Sequence, residues 1–205
     1  MLDQLIMSGI AFGRTTIGLV VRPYETYRKV VGKGGAWELV YVAALAIVYF
    51  SLASLVKVAA FRPFLLSKHA VVLAVAALVT YMLVVCVVWL VGKQFGGKGT
   101  MKGIAVGWGY TMLPTVCWFF MTSLLYILLP PPRTASIAGT GFSVLFLVVS
   151  TTLFFWKLTL GYLTLRFGLK LDLWRILAVV GVVGPVMGVW SWGMYRLGIF
   201  RVPFL

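Results

Sequence analysis

The chain has 205 residues, 62% of them hydrophobic and 11% charged, with a mean hydropathy of +1.05. A soluble domain is about 45–50% apolar and about 25% charged, so this composition excludes an ordinary soluble fold and leaves room for one polytopic membrane domain. The net charge of +14 comes from 18 Lys and Arg against only Asp3, Glu25, Glu38 and Asp172, with the basic residues in short gaps between apolar runs, a pattern of membrane loops and not of nucleic-acid binding.

Residues 1–21 are apolar but diluted by Asp3, Ser8, Gly9, Gly13 and Arg14. An acidic start and the lack of a small-residue cleavage site argue against a signal peptide. Leu2, Leu5, Ile6 and Ile10 recur at helical spacing, which predicts a helix lying in the membrane interface. Pro23 suits the first turn of a second, short helix, where its missing N–H costs nothing. Tyr24 and Tyr27, beside Arg28, Lys29 and Lys33, suit the headgroup region. Gly32, Gly34 and Gly35 then interrupt the chain. Residues 1–36 are therefore expected to form an interfacial or cytoplasmic segment, and 37–205 a five-span membrane domain.

Five apolar runs reach the roughly 18 residues a transmembrane helix needs. They are residues 39–56, 70–92, 103–132, 134–156 and 176–195, the fourth continuing as helix past Lys157 to about Arg166. The third must tilt, kink or end before the prolines at 130–132. Short gaps predict antiparallel neighbours and leave no space for a soluble catalytic domain. The expected class is all-α, five transmembrane helices with an interfacial N-terminal helical segment. With the N-terminus inside, that face holds Arg14, Arg22, Arg28, Lys29, Lys33, Lys93, Lys98, Lys102, Arg166, Lys170 and Arg175. The other holds Lys57, Arg62, Lys68, Arg133, Arg196 and Arg201. This bias predicts a cytoplasmic N-terminus and an outside C-terminus.

Residues 92–100, with Gly96, Gly97 and Lys98, nearly spell a phosphate-binding loop, but Gly99 stands where Ser or Thr should, and Thr100 arrives one residue late. The default is a flexible cytoplasmic turn whose lysines face anionic headgroups. Gly103, Gly107 and Gly109 in the third span, and Gly184 and Gly188 in the fifth, have the small-residue spacing that lets helices approach closely, most simply within the molecule. Pro114 and Pro185 should kink their helices. Cys86 and Cys117 read as buried apolar side chains. One histidine, His69, among four acids builds neither a metal site nor a catalytic triad, so no cofactor is implied and no enzyme is expected.

Lys157 is the anomaly, a charge within a span, nine residues before Arg166 and roughly 13 Å deeper, either a functional group or a lysine that snorkels to the interface or bonds a carbonyl freed beside a kink. Ser150, Thr151 and Thr152 before it, and Thr159, Gly161 and Thr164 after it, predict a lysine turned into the bundle. Its expected partners are Tyr110 and Thr111 beside Pro114, with Glu38 reached only if the side chain bends back.

The basic segment around Pro23, the Phe95-Gly96-Gly97-Lys98 loop and Gly109-Tyr110-Thr111-Met112-Leu113-Pro114 resemble the Yip family of integral membrane domains. So does the run from Trp156-Lys157 through Gly161 to Leu169-Lys170. The resemblance covers most of residues 20–195 and implies five spans, a cytoplasmic N-terminus, and in eukaryotes a link to Rab-type GTPases and membrane shaping. The chain has no Asp-Leu-Tyr-Gly-Pro motif, only Arg22-Pro23-Tyr24-Glu25, and lacks the long N-terminal region, departures that argue against a GTPase partner and fit a compact, prokaryotic-type member in a plasma membrane. The expected function is a non-enzymatic organiser of membrane or partner proteins. Its contacts are the bilayer and anionic headgroups of the cytoplasmic side, and the small-residue pairs also permit a homo-oligomer. The alternative is a small transporter or channel using Lys157 and the third and fifth spans.

Overall fold

A computed structural model describes residues 2–33, 35, 37–57, 63–128 and 137–199. Gly34, Arg62, the prolines at 130–132, Arg133 and Arg201 lie outside the described residues, as do the side chains of Leu2, Leu5, Lys33 and Lys57. Every regular element among the described residues is helical: α1 (Leu2–Val21), α2 (Pro23–Lys33), α3 (Glu38–Lys57), α4 (Pro63–Gln94), α5 (Met101–Leu128), α6 (Ile137–Leu163), a π-helical turn (Thr164–Gly168) and α7 (Leu173–Arg196). The protein is an all-α polytopic membrane protein.

Four of these helices are long and apolar enough to cross a membrane: Ser67–Gln94, Met101–Leu125, Gly139–Gly168 and Leu173–Arg196. Glu38–Leu52 is a shorter apolar stretch within α3, whose full 20 residues reach about 30 Å, the thickness of the hydrocarbon core. The outward side of α6 presents Val144, Leu145, Leu147, Val148, Phe154 and Phe155, all more than half exposed. That much contiguous apolar surface is stable only against lipid.

The core has two main parts. Val84, Val85 and Val88 of α4 meet Ile104 of α5, Leu165, Leu169 and Leu171 around the π-turn, and Ile176, Val179 and Val183 of α7. The other joins Leu19, Tyr27 and Val30 of α1 and α2 to Val106, Tyr110 and Leu113 of α5 and to Leu160 and Leu163 of α6. The N-terminal helices thus share the bundle's core. Within lipid there is no hydrophobic drive between helices, so packing and hydrogen bonds hold them. Tyr81 Oη donates to Ala105 O at 2.6 Å, Trp118 Nε1 to Ser150 Oγ at 2.8 Å and Trp190 Nε1 to Thr80 Oγ1 at 3.1 Å, linking α4 to α5, α5 to α6 and α7 to α4.

The glycines divide in a way their spacing does not reveal. An added Cβ at Gly107 would come 2.9 Å from Thr164 and at Gly103 3.3 Å from Val31, while one at Gly109 would strike Leu39, so the α5 glycines admit close neighbours. At Gly161, Gly184 and Gly188 a Cβ would meet nothing within 4 Å, so the expected internal packing against those residues is absent among the described residues. Pro114 and Pro185 lie inside helices that continue past them.

Candidate functional site

The α2 sequence places Pro23, Tyr27, Val30 and Val31 at i, i+4, i+7 and i+8, a narrow apolar stripe that lays the helix across one end of α5, α6 and the π-turn. Tyr27 is fully buried there and not in a headgroup layer; Tyr24 is the exposed one, edge-on to Phe167 with ring centroids 4.9 Å apart. The Tyr27 hydroxyl donates to Gly107 O at 2.7 Å and accepts from Thr164 Oγ1 at 3.1 Å. Burial drives its ionisation well above the ordinary tyrosine value, so it remains a neutral donor. A single phenol thereby ties α2 to both α5 and the π-turn.

Beside it, Tyr110 donates to Glu38 Oε2, and the Gly35 amide donates to Glu38 Oε1 at 3.2 Å. Tyr110 is fully buried and Glu38 nearly so. Phe12 of α1 stacks on the same ring at 5.9 Å. The carboxylate at the mouth of α3 is thus held by α5 and the chain turn before it, with α1 packed over the pair.

The glycine-rich turn is packed, not loose. Gly96 turns at φ +82°, and the amides of Gly96, Gly97 and Lys98 donate to Lys93 O at 3.0 Å, Gly92 O at 2.8 Å and Leu169 O at 2.9 Å. Those amides are committed to the protein, which closes the phosphate-cradle reading. A Cβ at Gly99 would strike Gly168 O, and one at Gly97 would come within 2.7 Å of Gly92 O, so only glycine lets this turn lie on the one after α6. Arg166 fixes that second turn by donating to Leu171 O at 2.9 Å and Asp172 Oδ1 at 2.8 Å. Lys93, Lys98, Lys102, Lys170 and Arg175 remain exposed around the joint.

Lys157 lines a cavity of about 380 Å³ between α4, α5, α6 and α7. Its expected partners are taken: Tyr110 serves Glu38, and Thr111 Oγ1 donates to Trp108 O at 2.7 Å. The hydroxyls around it are satisfied along their own helix, Thr151 on Leu147 O, Thr152 on Val148 O and Thr159 on Phe155 O. A helix hydroxyl that can bond back four residues needs no cross-helix partner. The sequence placed Tyr27 among the headgroups and Thr164 beside Lys157, and gave no sign of their bond or of the π-turn; the stripe on α2 was the available signal.

The chain matches the Yip1 domain family over residues 17–194. No curated protein matches it. No solved structure matches it. The match spans both packed turns, the Tyr27 tether and the Glu38–Tyr110 pair, and the chain belongs to the Yip1 domain family.

Proposed function

We propose that this protein is a non-enzymatic organiser of the membrane or of partner membrane proteins, acting through α1 and α2 at the cytoplasmic face of a prokaryotic-type plasma membrane. The observation that carries this reading is the surface of α1. Ile6, Met7, Ile10, Ile17, Val20 and Val21 are exposed apolar residues on a helix that is followed at once by the exposed cations Arg22, Arg28 and Lys29. Such a helix suits burial about 5–10 Å into one leaflet, with its cations near anionic headgroups. Tyr27 and Leu19 hold it to the bundle, so the wedge has a fixed place beside five spans. In this reading residues 1–36 form the interface-lying segment, 37–205 the span domain, and the C-terminus lies outside. The shortage of titratable side chains supports a role without chemistry.

Reconstitution into vesicles of mixed zwitterionic and anionic lipid tests this. The wild-type chain should narrow or tubulate vesicles with increasing protein density. Ile10→Glu and Ile17→Glu, which charge the exposed face and leave the core untouched, should remove the effect while inserting normally. Deformation unchanged in both variants would overturn the proposal.

A further inference from the structure

The cavity at Lys157 is a second feature, independent of α1. Its walls are Val84 and Val88 of α4, Trp108 of α5, and Val179, Val183 and Met187 of α7, with Thr80 and Ser191 towards the far end. The fourth wall is incomplete, because α6 and α7 are joined through the π-turn and otherwise meet at most marginally. The cavity is therefore open on the side between α6 and α7.

Lys157 makes no hydrogen bond or ion pair to any described residue. Nor does the sequence offer a side-chain carboxylate to neutralise it, since all four acids are placed elsewhere. Asp172 pairs with Arg166 at 2.8 Å, Glu25 with Arg22 at 4.0 Å, Glu38 takes Tyr110 and Gly35, and Asp3 sits exposed in the first turn of α1. A cation roughly 13 Å below the Arg166 level is costly without a counter-charge. A counter-anion for the protonated amine is therefore not among the chain's side-chain carboxylates.

We propose that this cavity binds a single-chain anionic amphiphile, a long-chain carboxylate, whose head pairs with the Lys157 ammonium while its tail lies along α7 and leaves between α6 and α7. Three observations choose this ligand over a phospholipid. Thr80 is already engaged with Ala76 O and Trp190, so a phosphodiester, which has two ester oxygens beyond the two that share its charge, would keep more acceptors unsatisfied than a carboxylate. The volume is near the lower end of the about 300–1,000 Å³ typical of ligand pockets, which suits one chain. A carboxylate is also the compact head group that can sit this deep.

The test uses the full chain in nanodiscs of zwitterionic lipid, with a hexadecanoic acid carrying a mid-chain diazirine and, in parallel, its methyl ester. After photolysis the acid should label α6 and α7 at the cavity, about tenfold or more above the ester, as expected for a charge-assisted hydrogen bond. Lys157→Met should bring acid labelling down to the ester level, and Lys157→Arg should retain it. Gly184→Phe keeps the lysine and fills the space, since nothing lies within 4 Å of a Cβ there, and should also abolish labelling. Equal labelling by acid and ester in the wild-type chain overturns the proposal without recourse to any variant. So does labelling that survives both Lys157→Met and Gly184→Phe, or labelling confined to the outer helix faces. Displacement of the probe by equimolar phosphatidylglycerol would also overturn it, by assigning the site to a two-chain lipid.

Discussion

At Tyr110 a phenol donates into a carboxylate that has, among the described residues, one other partner, the Gly35 amide. Removing a buried donor leaves the acceptor unsatisfied, which costs more than the bond itself contributes. Tyr110→Phe should therefore destabilise the protein by roughly 1–3 kcal/mol, whereas Glu38→Gln, which keeps an acceptor for the phenol, should cost clearly less. Thermal unfolding in detergent ranks the two, and the reverse order would remove Glu38 from the centre of this cluster. Tyr27 adds a pH dependence. The unfolded tyrosine ionises near 10, while the buried one holds its proton to higher pH. Its contribution is thus whole below about pH 10 and is lost as pH rises through the folded value. Protease cleavage in α1 and α2 should become faster above that pH in the wild type, and Tyr27→Phe should be cleaved faster already at neutral pH.

Between elements, the contact that decides the inner end of the bundle is backbone on backbone, the 95–100 turn lying on the 168–172 turn. Gly99→Ala would drive a methyl group into Gly168 O and should cost at least about 3 kcal/mol or prevent assembly. Gly181→Ala, with nothing within 4 Å of its Cβ, should stay within about 1 kcal/mol of wild type. Expression and melting of the two variants check the contrast. It also shows what the sequence could reveal. Spans are legible because an apolar run of about 20 residues has few other uses. The meeting of two loops about 70 residues apart leaves only glycines as its trace, and glycines at 96–99 read equally well as a loose turn. Glu38 and Tyr110 were both singled out from the sequence as partners for Lys157. That they bond each other depends on how α3 crosses α5, which periodicity does not encode.

For the molecule as a whole, the packed turns and α2 gather the exposed cations at one end. Arg28, Lys29, Lys93, Lys98, Lys102, Lys170 and Arg175 stand there, while among the described residues Lys68 and Arg196 belong to the other. Each cation near an anionic leaflet is worth about 1 kcal/mol, so inverting the molecule would forfeit several. This asymmetry leads us to expect the end bearing Lys98 on the cytoplasmic side and Leu197, 71% exposed past α7, on the outside. Because α4 enters α5 and α6 enters α7 at the same end, two sites test the path from the 95–100 turn to the end of α7. In a background lacking Cys86 and Cys117, Lys98→Cys should react with a membrane-impermeant maleimide only in inverted vesicles, and Leu197→Cys only in intact cells. Labelling of both from one side would contradict an odd number of spans between Lys98 and Leu197. Labelling of Lys98→Cys from outside would reverse the orientation, and would move the apolar face of α1 to the leaflet where its neighbouring arginines find less negative charge.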